Sequence, residues 1–121
     1  RVLFRSASPF LPHIDTQRYT KAMLYTTDVG ENDGPFTSSM QNPNLFENLR
    51  IQINMKVQDA MNYQDVRSEF NLQETSFTPI TGKRGMLVIF DTNTPHFAGK
   101  IESNNERKIL RFDFWNRSYI L

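Results

Sequence analysis

The sequence predicts an all-β domain, a sandwich or barrel of short strands with helix confined to one insertion. Two observations carry this. Short runs rich in Val, Ile, Thr, Tyr and Phe recur along the chain, and turn clusters rich in Gly, Pro, Asn and Asp bound them. Helical periodicity is weak outside the middle of the chain, so a layered sheet is the economical way to bury the apolar residues.

Taken in order, residues 1–6 form a short, alternating strand. Residues 18–27, "RYTKAMLYTT", form a second, and "DVGENDG" after it is a turn. Residues 35–39 restart a strand, and "QNPNLFEN" reads as loop. Ile51, Ile53, Met55 and Val57 alternate with Gln52, Asn54, Lys56 and Gln58, the period of two expected of a half-buried strand. Residues 59–70 suit one short helix with Ala60, Met61 and Val66 on its buried face. From Thr75 onward the pattern is strand, turn, strand: "SFTPI", "TGKRG", "MLVIF", "DTNTP", "HFAGKIE", "SNNE" and "RKILRFDFW". The continuous apolar run "MLVIF" predicts a strand buried on both faces. Trp115 is assigned to the core, and Phe112 and Phe114 to the outside of the sheet.

Composition excludes several classes. With 121 residues, 38% of them hydrophobic, the chain is read as one domain over 1–121. The formal charge is +1 and the longest basic cluster is Lys83-Arg84, so no nucleic-acid footprint is present. The longest apolar run, residues 86–90, is far too short to span a bilayer, so no membrane partner is expected. No signal peptide is readable and the expectation is a cytoplasmic protein, although the chain begins at Arg1 and would suit a fragment or a processed form. The absence of cysteine removes disulfides, thiolate nucleophiles and sulfur-built zinc sites.

Chemistry concentrates on the two histidines. In "PHIDTQ", His13 and Asp15 are two apart, so an extended backbone projects both to one side. His96, in "TPHFAGK", lies 83 residues later (96 − 13), a separation that a folded-back β topology closes. Two imidazoles and a carboxylate on one side of a cation make the facial triad of non-haem Fe(II) sites, with positions left for other ligands. A His-x-Asp triplet alone is also what a solvated turn after Pro12 would look like, and His96 alone could be a turn residue after Pro95.

The residues around them carry a resemblance. "HID", "ENDGPF", "RGMLVIFDTNTPH" and "NERKILRF" follow one another in the order of the motifs of the 2-oxoglutarate/Fe(II)-dependent dioxygenases. The chain most resembles their phytanoyl-CoA-hydroxylase-like branch, with the prolyl-hydroxylase-like branch a close second, over roughly residues 11–115. Met86, Ala98 and Met23 depart from residues common in that family. The resemblance implies a double-stranded β-helix, a jelly-roll or cupin-like barrel, with a short helical or irregular insertion. It implies His13, Asp15 and His96 as metal ligands and catalytic centre, with Fe(II), 2-oxoglutarate as cosubstrate and dioxygen. Arg107 is implied as the clamp on the distal carboxylate of 2-oxoglutarate, since a guanidinium offers a bidentate fork that stays charged when buried. Arg111, four residues on and of the same strand parity, is the runner-up; either arginine could instead be an exposed strand residue paired with Asp113 or Glu106, Arg111 more readily than Arg107. Lys21 and Tyr19 are expected to offer polar contacts beside the cosubstrate.

The expected activity is hydroxylation of an unactivated C–H, on a small-molecule substrate or a peptide side chain, with 2-oxoglutarate decarboxylated to succinate. Asp15 favours this over halogenation, because related halogenases lack the carboxylate ligand. These enzymes carry helices ahead of the barrel, so a homo-oligomer covering the exposed sheet is an expectation too. A non-catalytic cupin-like module binding a metal or small molecule is the alternative, and a purely structural jelly roll a third; Arg107 separates the first from these.

Overall fold

The computed structural model describes residues 11–59, 72 and 76–114. Six strands occur among them: β1 (Thr20–Tyr25), β2 (Phe36–Ser39), β3 (Phe77–Ile80), β4 (Leu87–Asp91), β5 (His96–Ala98) and β6 (Ile109–Phe114). They form two antiparallel three-stranded sheets, ordered β4-β1-β6 and β3-β2-β5. Along the chain the strands pass back and forth between the sheets, so residues remote in sequence meet. The described residues are thus mostly β with little helix.

β1 is the central strand of the first sheet. Lys21 stands opposite Phe90 on β4 and Asp113 on β6, and Met23 opposite Val88 and Arg111. Directly opposed residues share a face, so these define the inner face. The Phe90 ring meets Phe36 of β2 at 4.4 Å between centroids, which joins the two sheets. Ile14, Met23, Tyr25, Val29, Phe36 and Ile53 are among the buried apolar residues. Tyr25 donates its hydroxyl to the Ile80 carbonyl at 2.7 Å and accepts from the Phe36 amide at 3.2 Å, so one buried phenol ties β1 to β2 and β3.

Two turns depend on glycine. Gly85, in the turn before β4, has φ +97°, and Gly34, just before β2, has φ +69°. A Cβ at Gly34 would stand 2.7 Å from the Gly99 carbonyl oxygen and 2.8 Å from Ile101 Cγ1, so the turn is closed to any side chain.

Three expectations are corrected. Residues 51–57 are not a strand: α1 spans Glu47–Asp59. The stretch read as loop supplies its start, a 3-10 turn at Pro43–Phe46 whose N-cap Asn42 side chain accepts from the Asn44 amide. Good helix formers surround the alternating apolar residues (Glu47, Leu49, Arg50, Gln52, Met55, Lys56), and local propensity overrides a period-two pattern that has no strand partner. Of Ile51, Ile53 and Met55 only Ile53 is buried. The strand β4 is also not covered on both faces: Leu87 is 51% and Ile89 63% exposed. An uninterrupted apolar run reports two apolar faces, and here the outer one, continued by Leu110, Phe112 and Phe114, lies exposed. Finally, "HFAGKIE" is strand only over β5, with a single further bridge from Ile101 to Asp33. The strand expected at residues 1–6, the helix beyond Asp59 and Trp115 lie outside the described residues.

Arg18 fastens the insertion to the sheets. Its guanidinium donates to Asp91 at 2.9 and 3.0 Å, to Glu47 at 2.8 Å and to Asn44 at 2.7 Å, so the entry to β1, the end of β4 and the start of α1 share one group. Asn54 of α1 donates to the Thr16 carbonyl at 2.6 Å, beside the His13–Asp15 segment. Among the described residues no helix is long and apolar enough to cross a membrane.

Candidate metal centre

His13 and His96 meet through their backbones. The His13 amide donates to the His96 carbonyl at 3.0 Å and the His96 amide to the His13 carbonyl at 2.9 Å. This reciprocal antiparallel pair sets both side chains on one face, and the rings lie 4.4 Å apart between centroids. The Asp15 amide donates to the Thr92 carbonyl at 3.1 Å, which brings the carboxylate to the same side. The backbone thus closes a gap that spans most of the sequence.

The two histidines are oriented alike. His13 Nδ1 is 2.8 Å from the Leu11 carbonyl and His96 Nδ1 is 2.6 Å from the Thr94 carbonyl. A carbonyl only accepts, so each Nδ1 carries a proton, and each ring turns its Nε2 toward Asp15. The local device is the same in both places: a carbonyl, a proline and then the histidine, in Leu11-Pro12-His13 and Thr94-Pro95-His96. Proline fixes φ and donates nothing, so the carbonyl before it is left for the imidazole. The repeated Pro-His pair was the sequence signal for these two acceptors, which motif reading had passed over.

Both Nε2 atoms face one oxygen of Asp15. Oδ1 is 3.3 Å from His96 Nε2 and 3.7 Å from His13 Nε2. The three candidate ligand atoms all lie within 4.8 Å of one another. Donors held about 2.1 Å from a common ion stand ~3.0–3.4 Å apart; the two distances to Oδ1 are in or near that range, and the widest separation within the group would close by up to roughly 1.4 Å (4.8 − 3.4) on binding. The donor set, two imidazole nitrogens and one carboxylate oxygen without sulfur, suits Fe(II) as well as other borderline divalent ions.

The other oxygen of Asp15 is already engaged. Oδ2 accepts from Lys21 Nζ at 3.1 Å and from the Tyr19 hydroxyl at 3.4 Å. Burial pushes the Asp15 carboxyl up, but the hydrogen bond and charge of His96 and of Lys21 outweigh it and hold the group well below the usual carboxylate range. Asp15 is therefore an anion at neutral pH. His96 is buried against Phe36 and Phe90, at 5.6 and 5.0 Å between centroids, which fixes its ring from behind. A cleft of about 400 Å³ runs beside these rings, lined by Phe36, Ser38, Ile80, Val88, Phe90 and Thr94 among others.

No family model, no curated protein and no solved structure matches this chain. The functional reading therefore rests on the residues themselves.

The remaining predicted site residues fall in two places. Tyr19 and Lys21 gather on Asp15, at the start of β1. Arg107 lies toward the far end of β1, where its Nη1 donates to the Gly34 carbonyl. It is largely buried, and desolvation lowers its pKa while the nearby Tyr25 phenol opposes the shift. Arg111 shares the inner-face parity but is exposed and pairs with Asp113 at 3.5 Å. Of the two arginines, Arg107 is the one held inside.

Proposed function

We propose that this protein is an Fe(II)- and 2-oxoglutarate-dependent dioxygenase built on a double-stranded β-helix, and that it hydroxylates an unactivated C–H. The observation that carries the reading is the convergence of His13 Nε2, His96 Nε2 and Asp15 Oδ1 on one point. The strand pattern supports it, since the alternation between two facing antiparallel sheets is what such a barrel requires. Bound Fe(II) and 2-oxoglutarate supply oxidation of a C–H by dioxygen, giving alcohol, succinate and carbon dioxide.

The chain's own groups have defined tasks in that scheme. His13 and His96 offer Nε2 because the Leu11 and Thr94 carbonyls hold Nδ1–H. Asp15 contributes one negative charge through Oδ1. Arg107 binds the distal carboxylate of the cosubstrate with the guanidinium nitrogens that Gly34 does not occupy, in a buried setting where a charged hydrogen bond is strong. Phe36 and Phe90 exclude water from one side of His96.

The bond from Arg107 to Gly34 also favours a second reading, a cupin-like module that binds a metal or small molecule without turnover, in which this arginine only staples a turn. One experiment separates them. Anaerobic addition of 2-oxoglutarate to the Fe(II)-loaded protein should give a visible metal-to-ligand charge-transfer band, and Arg107→Met should need far more 2-oxoglutarate to produce it. Iron binding without any such band points to the non-catalytic module.

A further inference from the structure

We propose that Lys21 is a positioning residue that makes Asp15 a one-oxygen ligand and thereby keeps coordination positions open for a chelating cosubstrate. The inference rests on the metal-site reading above and extends it to a residue with no ligand atom of its own.

The two oxygens of Asp15 are divided between two tasks. Oδ1 faces both Nε2 atoms, at 3.3 and 3.7 Å, while Oδ2 faces the Lys21 ammonium at 3.1 Å and the Tyr19 hydroxyl at 3.4 Å. A carboxylate free to rotate would offer both oxygens to a divalent ion. Here rotation breaks a charge-assisted bond to Lys21, whose backbone is anchored in the central strand opposite Phe90 and Asp113. Its side chain is only 11% exposed and passes over the Tyr19 ring, with Nζ 5.4 Å from the ring centre. Although Asp113 is its cross-strand neighbour, the ammonium pairs with Asp15 Oδ2, at 3.1 Å.

Charge adds a second consequence. With an ion on both Nε2 atoms the imidazoles are necessarily neutral, and one carboxylate and one ammonium then sum to zero, so a divalent ion retains its full charge for a dianionic chelator. The same ammonium opposes the ion across a few ångströms of poorly screened space, so the tether lowers metal affinity while it favours the cosubstrate.

Titration of the apo-protein with Co(II), followed by visible d–d absorption and then by 2-oxoglutarate, tests this without turnover. Lys21→Met should bind Co(II) roughly 10-fold more tightly, show weaker d–d bands as Asp15 supplies a second oxygen and coordination number rises, and bind 2-oxoglutarate roughly 10-fold more weakly. Lys21→Arg should restore the wild-type spectrum. Lys21→Gln keeps a donor on Oδ2 without the charge; it should bind Co(II) more tightly with a wild-type spectrum, and it carries the test if Lys21→Met does not fold. Unchanged Co(II) affinity and spectrum in the folded variants overturns the tether and leaves the metal site standing. A wild-type protein that takes up no Co(II) overturns the metal site itself.

Discussion

The two ends of β1 solve different problems with similar residues. At its start, Lys21 and Tyr19 converge on one carboxylate oxygen and leave the other facing two imidazoles. At its finish, Tyr25 and Arg107 spend hydrogen bonds on the Ile80 carbonyl, the Phe36 amide and the Gly34 carbonyl, that is, on backbone. The first end gathers three ligand-type atoms on one side; the second holds strands and a glycine turn together. A buried polar cluster by itself therefore says little about chemistry. What distinguishes the first is that three atoms able to ligate a metal lie within 4.8 Å of one another, with their outer partners in place behind them.

The comparison can be broken by mutation, because changes at one end should leave the other end's property intact. The largest effect belongs to His96→Ala, which removes a ligand outright and should weaken Co(II) binding by at least roughly 100-fold, since loss of an outer partner alone costs 10–100-fold; calorimetric titration reads it. At the other end Gly34→Ala should cost about 2 kcal/mol or more of stability, because it adds a Cβ at φ +69° against the Gly99 and Ile101 atoms. Urea unfolding would show the loss, with Co(II) affinity unchanged in the folded fraction. Tyr25→Phe follows, at about 1–3 kcal/mol, for leaving the Ile80 carbonyl and Phe36 amide without their shared partner.

Asp15 ties stability to pH in a stated direction. Its folded-state pKa is depressed, so its contribution is fully present above the unfolded value of about 3.9 and is lost as pH falls below it. Acid unfolding of the apo-protein should therefore be steeper between roughly pH 4 and 2 than that of Asp15→Asn, measured by circular dichroism. The smallest effect is expected on the outer face of the first sheet, where Ile89→Thr removes little buried area from a residue 63% exposed and should change stability by no more than about 0.5 kcal/mol. A larger loss there would mean that something covers this face in solution.

Much of the site was legible because its constraints are local. His13 and Asp15 project together from any extended backbone, and the glycines of "DGPF" and "KRGM" mark positive-φ turns that only glycine takes comfortably. The pairing of His13 with His96 was readable only as a requirement of topology, and the structure meets it by two backbone hydrogen bonds. Less legible was anything decided by neighbours. Ile51, Ile53 and Met55 carry a strand's alternation, yet a capped 3-10 turn and the Arg18 contact to Glu47 start a helix through them. Lys21 was expected beside the site but its partner was not readable, because a lysine four carbons long reaches many places and only the fold selects Asp15. The exposed outer face of β4 was hidden for the opposite reason: apolar side chains announce a preference for burial, not the presence of a cover.

The central claim is that one divalent ion sits on Nε2 of His13, Nε2 of His96 and a single oxygen of Asp15. Anomalous diffraction from crystals loaded anaerobically with Fe(II) tests it most directly. The account predicts one strong iron peak within bonding distance of those three atoms, with Asp15 Oδ2 still on Lys21. A peak elsewhere, ligation through either Nδ1, or no iron between the two histidines at saturating metal would contradict it.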